Sequence, residues 1–218
     1  MAIRAVIFDM DGVISDTQKV HASVEVEMLK NYGISITAEE ITRRFSGLPA
    51  KIIFQTIFAD NKKEGVDIDA VVEEKWRLLT DAVKGNVEAV PGTCEFIKLV
   101  SKAGFQLGVA SASRISFVEL VLSELGIRDY FHAVTSANEV PKGKPDPAVF
   151  LLAARKLSTE PKDCVVIEDA VSGMTAAKRA GMRCIGLVRQ AIEGVVYPAD
   201  VIVDHLRKIS LETFDIAK

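Results

Sequence analysis

VIFDMDGVISDT, residues 6–17, decides how the rest of the chain is read. The run Ala5-Val6-Ile7-Phe8 is short, apolar and β-rich, and it predicts a strand buried on both faces, as parallel sheets require. It breaks into Asp9 and Asp11 with only Met10 between them. Two carboxylates serve no folding purpose at the end of a buried strand, but they can serve a reaction. Side chains alternate along an extended segment, so positions 9 and 11 face one side while Met10 turns into the core. Gly12 suits a sharp exit where a side chain would obstruct the backbone.

Further short apolar runs follow at Gln106–Ala110, His132–Ser136, Cys164–Ile167, Cys184–Val188 and Asp200–Val203. Helical segments separate most of them. Val118, Val121, Leu122 and Leu125 fall at helical spacing before Gly126, Pro145 and Pro147 bracket a helix start, and Gly181 closes a helix from about Val171 to Ala180. This alternation predicts an α/β fold, a doubly wound parallel-sheet (Rossmann-like) core with helices on both faces. Residues 17–86 carry helical patterns, such as Val20/Val24/Met28 and Val71/Lys75/Leu78/Leu79, and no convincing strand. The expected organisation is an α/β catalytic core at 1–15 and 88–218 with an inserted all-helical cap domain at 16–87.

The chain has 218 residues, is 49% hydrophobic and carries a net charge of −3. That composition predicts a packed core and gives no basic field for nucleic acid or an anionic membrane. Arg43-Arg44 and Lys62-Lys63 are expected on solvated faces. Cys94, Cys164 and Cys184 are odd in number and lack C-x-x-C spacing, which predicts inert thiols in a reducing compartment. The N-terminal apolar run is stopped at Asp9, too early for a leader peptide, and no run reaches a membrane span of ~20 residues. The expectation is a cytoplasmic protein, monomeric or weakly dimeric.

In an open parallel α/β sheet, ligands bind beyond the carboxyl ends of the strands. Asp9 and Asp11, Ser111-Ala112-Ser113, Lys144, and Glu168-Asp169 all sit at or just after such ends. The combination of D-x-D-G-V-x-x-D-T at 9–17, Ser111, K-P-x-P at 144–147 and the E-D pair at 168–169 resembles the haloacid dehalogenase superfamily. Within it, the likeness is to the β-phosphoglucomutase-like phosphatases with a helical cap. The resemblance implies that Asp9 attacks phosphorus to give an aspartyl-phosphate, and that Asp11 protonates the leaving alkoxide and then activates water. It implies Mg2+ as cofactor, held by the carboxylates of Asp9 and Asp169, a main-chain carbonyl at Asp11 and waters, with Glu168 as a more distant or water-mediated contact. Lys144, with Lys142 as its rival, and Ser111 with the nearby backbone N–H groups at Ala112 would hold the phosphoryl oxygens.

In the cap, Gly47 lies in the loop expected at the substrate. His21 reads equally as a substrate contact or a structural histidine, Asp16-Thr17 as a helix cap or part of a hinge, and Trp76 as packing within the cap. The resemblance implies that a mutase places a lysine before the cap-loop glycine and an arginine after it. Ser46 and Ala50 stand there in Phe45-Ser46-Gly47-Leu48-Pro49-Ala50, although Arg43, Arg44 and Lys51 are close. The expected activity is therefore a Mg2+-dependent phosphatase acting on a small phosphorylated metabolite such as a sugar phosphate, with a phosphohexomutase as the alternative. A dehalogenase needs neither the acid at 11 nor a metal carboxylate at 169, and an idle binding protein needs neither nucleophile nor acid.

Overall fold

The computed structural model describes residues 3–214. Its centre is a six-stranded, wholly parallel sheet: β1 (Ala5–Phe8), β2 (Gln106–Ser111), β3 (Ala133–Ser136), β4 (Cys164–Glu168), β5 (Arg183–Leu187) and β6 (Val201–Val203). The spatial order is β3-β2-β1-β4-β5-β6. Chain direction across the sheet therefore reverses beside β1, which pairs with β2 on one side and β4 on the other. That is the position where an open α/β sheet forms its ligand crevice.

The alternation read in β1 is what divides the core. Val6 and Phe8 join the buried cluster of α5 (Thr93–Lys102) and α6 (Ile115–Glu124), with Phe96, Ile97, Val118 and Leu122. Ala5 and Ile7 join the opposite cluster with Val149 and Phe150 of α7 (Ala148–Lys156) and Met174 and Ala177 of α8 (Val171–Arg179). Phe8 meets Phe96 and Phe131 edge-on, with ring centroids 6.0 and 5.8 Å away. Truncating so enclosed a ring to alanine costs about 3–5 kcal/mol. Gly126 and Gly181 take positive φ just after α6 and α8, as the sequence reading expects of residues that end helices.

Between β1 and α5 the chain forms four helices and no strand: α1 (Gln18–Lys30), α2 (Ala38–Phe45), α3 (Ala50–Asp60) and α4 (Ile68–Val83). Thr37 and Asp67 cap α2 and α4, their side-chain oxygens accepting the N–H groups of Glu40 and Ala70. The connections out of and back into the core run side by side. Val90 N–H donates to Ile14 O and Asp16 N–H donates to Glu88 O. No helix among the described residues is long and apolar enough to cross a membrane. All three cysteines are free, and burial pushes the Cys164 thiol up to about 12, so it stays protonated and unreactive at neutral pH.

Candidate active site

Asp9 prolongs β1 by one residue, its N–H donating to Ile167 O of β4. The backbone then turns sharply: Ile14 and Ser15 both donate to Met10 O, and Gly12 adopts φ +95°. A Cβ on Gly12 would stand 2.3 Å from Asp169 Oδ2, so the loop closes over the end of β4 only with glycine there. Met10 is fully buried, as the alternation predicts.

Asp9 and Asp11 have opposite environments. Asp9 is buried, and Lys144 Nζ donates to its Oδ1 at 2.5 Å. Burial raises its carboxyl to about 7; Lys144 opposes that shift, while Glu168 and Asp11 add to it. Asp11 accepts from Thr17 Oγ1 at 2.5 Å and from Ser113 Oγ at 2.7 Å. His21 Nε2 stands 3.2 Å from Asp11 Oδ1, within ion-pair distance but off the line of a hydrogen bond. Burial pushes the Asp11 carboxyl up, but His21, Thr17 and Ser113 outweigh it and hold the group well below the usual carboxylate range. Two carboxyls with such separated proton affinities are the arrangement that divides labour in acid–base sites.

Lys144 is fully enclosed, over the Phe150 ring, and bonded to Asp9 and to Glu168 Oε1 at 2.6 Å. Burial works against its charge, yet the two carboxylates keep its ammonium protonated. Lys142, the rival for this position, is exposed. Glu168 uses its other oxygen to accept from Ala170 N–H. Ser111 is buried and accepts from Ser113 N–H, while Ala112 and Ser113, one and two residues on, line the cavity.

The donor set for a cation can be judged directly. No group of three or more His, Cys, Asp or Glu side chains among the described residues forms an all-protein metal cage. What the strand ends do offer is two carboxylates, Asp9 and Asp169, and the Asp11 main-chain oxygen. Mg2+ typically takes one or two carboxylates and retains waters. Asp169 Oδ1 is enclosed with no hydrogen-bond partner. Burial, with Glu168 and Asp9 adding to it, raises the Asp169 carboxyl well above its ordinary range. Gln18 Nε2 donates both to Asp169 Oδ2, at 2.5 Å, and to Asp11 O, at 3.1 Å, drawing these oxygens together. An orphaned carboxylate oxygen and surplus buried negative charge fit a divalent cation.

Above Asp9 and Asp11 lies a cavity of about 590 Å3, its open mouth included. Its roof is helical: His21, Ala22 and Glu25 of α1, Ile41 and Phe45 of α2, Ile53 of α3, and Lys75 and Trp76 of α4. The loop Ser46-Gly47-Leu48 seats on the core. Ser172 Oγ donates to Ser46 O, and a Cβ on Gly47 would meet Ser172 Oγ at 2.5 Å. Both cap candidates, His21 and Gly47, thus line the cavity.

The sequence reading missed several contacts. Thr17 precedes α1 without capping it, because its hydroxyl turns back to Asp11. Asp16 instead pairs with Arg189 at 2.6 Å. Trp76 does not pack within the cap alone; it meets Phe117 of α6 at 5.5 Å, across the cap–core boundary. Ser113, Gln18, Glu25 and Lys75 were not singled out. For Ser113 a signal existed, a hydroxyl two residues beyond Ser111 in the same S-A-S run. Arg43, Arg44 and Lys51 are exposed and do not line the cavity, and Arg44 and Lys51 pair with Asp60 and Asp69.

A family model for "Haloacid dehalogenase-like hydrolase" matches residues 6–187. Hexitol phosphatase B of Escherichia coli (strain K12) is 34% identical over 84% of this chain and 82% of its own. Beta-phosphoglucomutase of Bacillus subtilis is 30% identical over 96% and 93%. The crystal structure of beta-phosphoglucomutase from Clostridium difficile superposes with a TM-score of 0.84 at 28% identity, covering 98% of this chain and 97% of that one.

Proposed function

The chain belongs to the haloacid dehalogenase-like hydrolases, and from that membership we propose that it is a Mg2+-dependent phosphatase of small phosphorylated metabolites, sugar phosphates foremost. In this reading residues 1–15 and 88–218 carry the chemistry and residues 16–87 form the cap that selects the substrate. One observation supports it above others. Asp9, held by Lys144, and Asp11, held by Thr17, Ser113 and His21, stand together at the floor of a single roofed cavity.

An Asp9 oxygen attacks phosphorus, the bond from phosphorus to the ester oxygen breaks, and Asp11 gives its proton to the departing alkoxide. Water then attacks the aspartyl-phosphate, Asp11 takes the water's proton, and the bond to Asp9 breaks to release inorganic phosphate. Thr17, Ser113 and His21 favour the carboxylate form of Asp11, which suits the second half. For the first half Asp11 takes up a proton from water before the ester is enclosed, its proton affinity raised as the ester oxygen displaces one of these donors. Lys144 holds Asp9 in place and presents positive charge where phosphoryl oxygens crowd it. Asp9, Asp169 and the Asp11 main-chain oxygen would hold Mg2+, which would supply countercharge to those oxygens. The cap excludes bulk water during both steps.

Hydrolysis is favoured over isomerisation because a mutase must hold a second phosphate in the cap. The cations proposed for that, Arg43, Arg44 and Lys51, lie outside the cavity wall. The test is phosphate release from a panel of sugar and sugar-alcohol phosphates with Mg2+ and again with EDTA. Alongside it, β-glucose 1-phosphate with a trace of the 1,6-bisphosphate is assayed for isomerisation. Metal-dependent release is expected; isomerisation outpacing release would replace the phosphatase with a mutase.

A further inference from the structure

A buried ion pair crosses the roof of the cavity. Lys75 Nζ of α4 lies 3.3 Å from Glu25 Oε1 of α1, and each residue is only 2% exposed. Lys75 also lies 4.1 Å from the Trp76 ring centroid and 3.1 Å from His21 Nδ1. An ammonium has only donors, so His21 Nδ1 accepts, and the ring's remaining proton sits on Nε2, facing Asp11. His21 and Glu25 are four apart on α1 and share one face. The Lys75 ammonium is thus already matched by a carboxylate, an imidazole nitrogen and an aromatic face.

A buried ion pair is weak evidence for stability, because well-packed apolar residues often do as well. This one lines the compartment where the leaving group of a phosphate ester must sit. The charged residues of the cavity wall are Asp9, Asp11, Glu25 and Lys75, and the remainder is largely apolar, with Ile41, Phe45, Leu48 and Ile53. Lys75 is the one lysine or arginine among the described wall residues, and Glu25 neutralises it.

We propose that Glu25 is a specificity-determining residue: by pairing with Lys75 in the cavity wall, it bars a second anionic group from the leaving group and selects monophosphates of uncharged polyhydroxy alcohols. The proposal rests on the phosphatase reading above. A second phosphate entering the roof meets the Glu25 carboxylate and surrenders its hydration without a free cation to replace it. Hydroxyl groups meet an acceptor in Glu25 and a donor in Lys75.

The test is binding rather than turnover. In the Asp9→Asn background with Mg2+, dissociation constants are measured calorimetrically for two matched pairs: glucose 6-phosphate against glucose 1,6-bisphosphate, and fructose 1-phosphate against fructose 1,6-bisphosphate. The monophosphate of at least one pair should bind about tenfold or more tightly, a discrimination of the size one unpaired charge supports. Adding Glu25→Gln, nearly the same in shape, should shrink that ratio by about tenfold, since Lys75 is then free for the second phosphate. Adding Lys75→Gln instead should widen it. A merely structural pair would shift both ligands alike in both variants. Equal affinities, or a ratio that neither substitution moves, would overturn the role of Glu25 and leave the phosphatase reading intact. Binding of no phosphate ester in either pair would overturn both.

Discussion

At the scale of single residues, the site is a problem in placing negative charge. As the proposed nucleophile Asp9 is needed as a carboxylate, yet burial holds its proton up to a pH of about 7 in the cation-free chain. The sign follows from linkage. A carboxyl whose folded value exceeds its unfolded one lets the folded state bind more protons, so stability falls as pH rises from about 4 to 7. Asp9→Asn, which mimics the protonated group, should therefore raise the melting temperature in EDTA at pH 8 by several degrees, with ~2–4 °C per kcal/mol at this length. At pH 4 it should leave the melting temperature nearly unchanged. Calorimetry at the two pH values reads both; a variant less stable at pH 8 would mean that the Lys144 bond outweighs the burial of the charge. For turnover, the acidic limb of the rate profile should lie near neutrality at limiting Mg2+ and move to lower pH as Mg2+ is raised.

At the scale of elements, the turn after β1 and the end of β4 are one construction. Gly12→Ala would place a methyl group 2.3 Å from Asp169 Oδ2 at a backbone angle that suits glycine. Backbone or Asp169 must shift, and the expected result is a Mg2+ concentration for half-maximal activity raised about tenfold or more, by analogy with other perturbed metal ligands. Gly65→Ala, where a Cβ would meet nothing within 4 Å, controls for the backbone strain alone. Unchanged Mg2+ dependence in Gly12→Ala would detach the loop from the cation.

The sequence was informative at this scale for physical reasons. β1, β2 and β4 are apolar runs ending in polar residues, and glycines with positive φ stop α6 and α8, so local chemistry marks them. The pairings of Asp11 and Lys75 escaped because nothing local marks which residues meet. Ser113 meets Asp11 across 102 residues and Lys75 meets His21 across 54, distances that only the folded chain removes. Thr17 and Trp76 looked like an ordinary helix start and cap packing; their roles come from Asp11 and Phe117, brought to them by the fold.

At the scale of the whole molecule, cap and core are tied at several points around the cavity. Ser172 holds Ser46, Arg114 pairs with Glu73 at 2.6 Å, and Arg189 pairs with Asp16. The proposed cation site sits beneath this closure, where Lys144 binds Asp9 and Glu168 and Asp169 Oδ1 is left without a partner. A divalent ion bound there favours the folded chain by mass action, about 2.7 kcal/mol at a hundred times its dissociation constant. Mg2+ should accordingly raise the melting temperature, and Asp169→Asn should abolish most of that rise. A rise that survives the substitution would put the cation elsewhere.

The most direct test of the central claim is to find the covalent intermediate. Asp11→Asn is mixed with excess acetyl phosphate, whose leaving group departs without the proton that Asp11 supplies to an alkoxide, then quenched in acid and digested for peptide mass analysis. The account predicts one phosphoryl group on Asp9, accumulating because the water-activating base is gone, and none in Asp9→Ala, which should also be inactive. Turnover by Asp9→Ala, or a phosphoryl group trapped on any other residue, would contradict it.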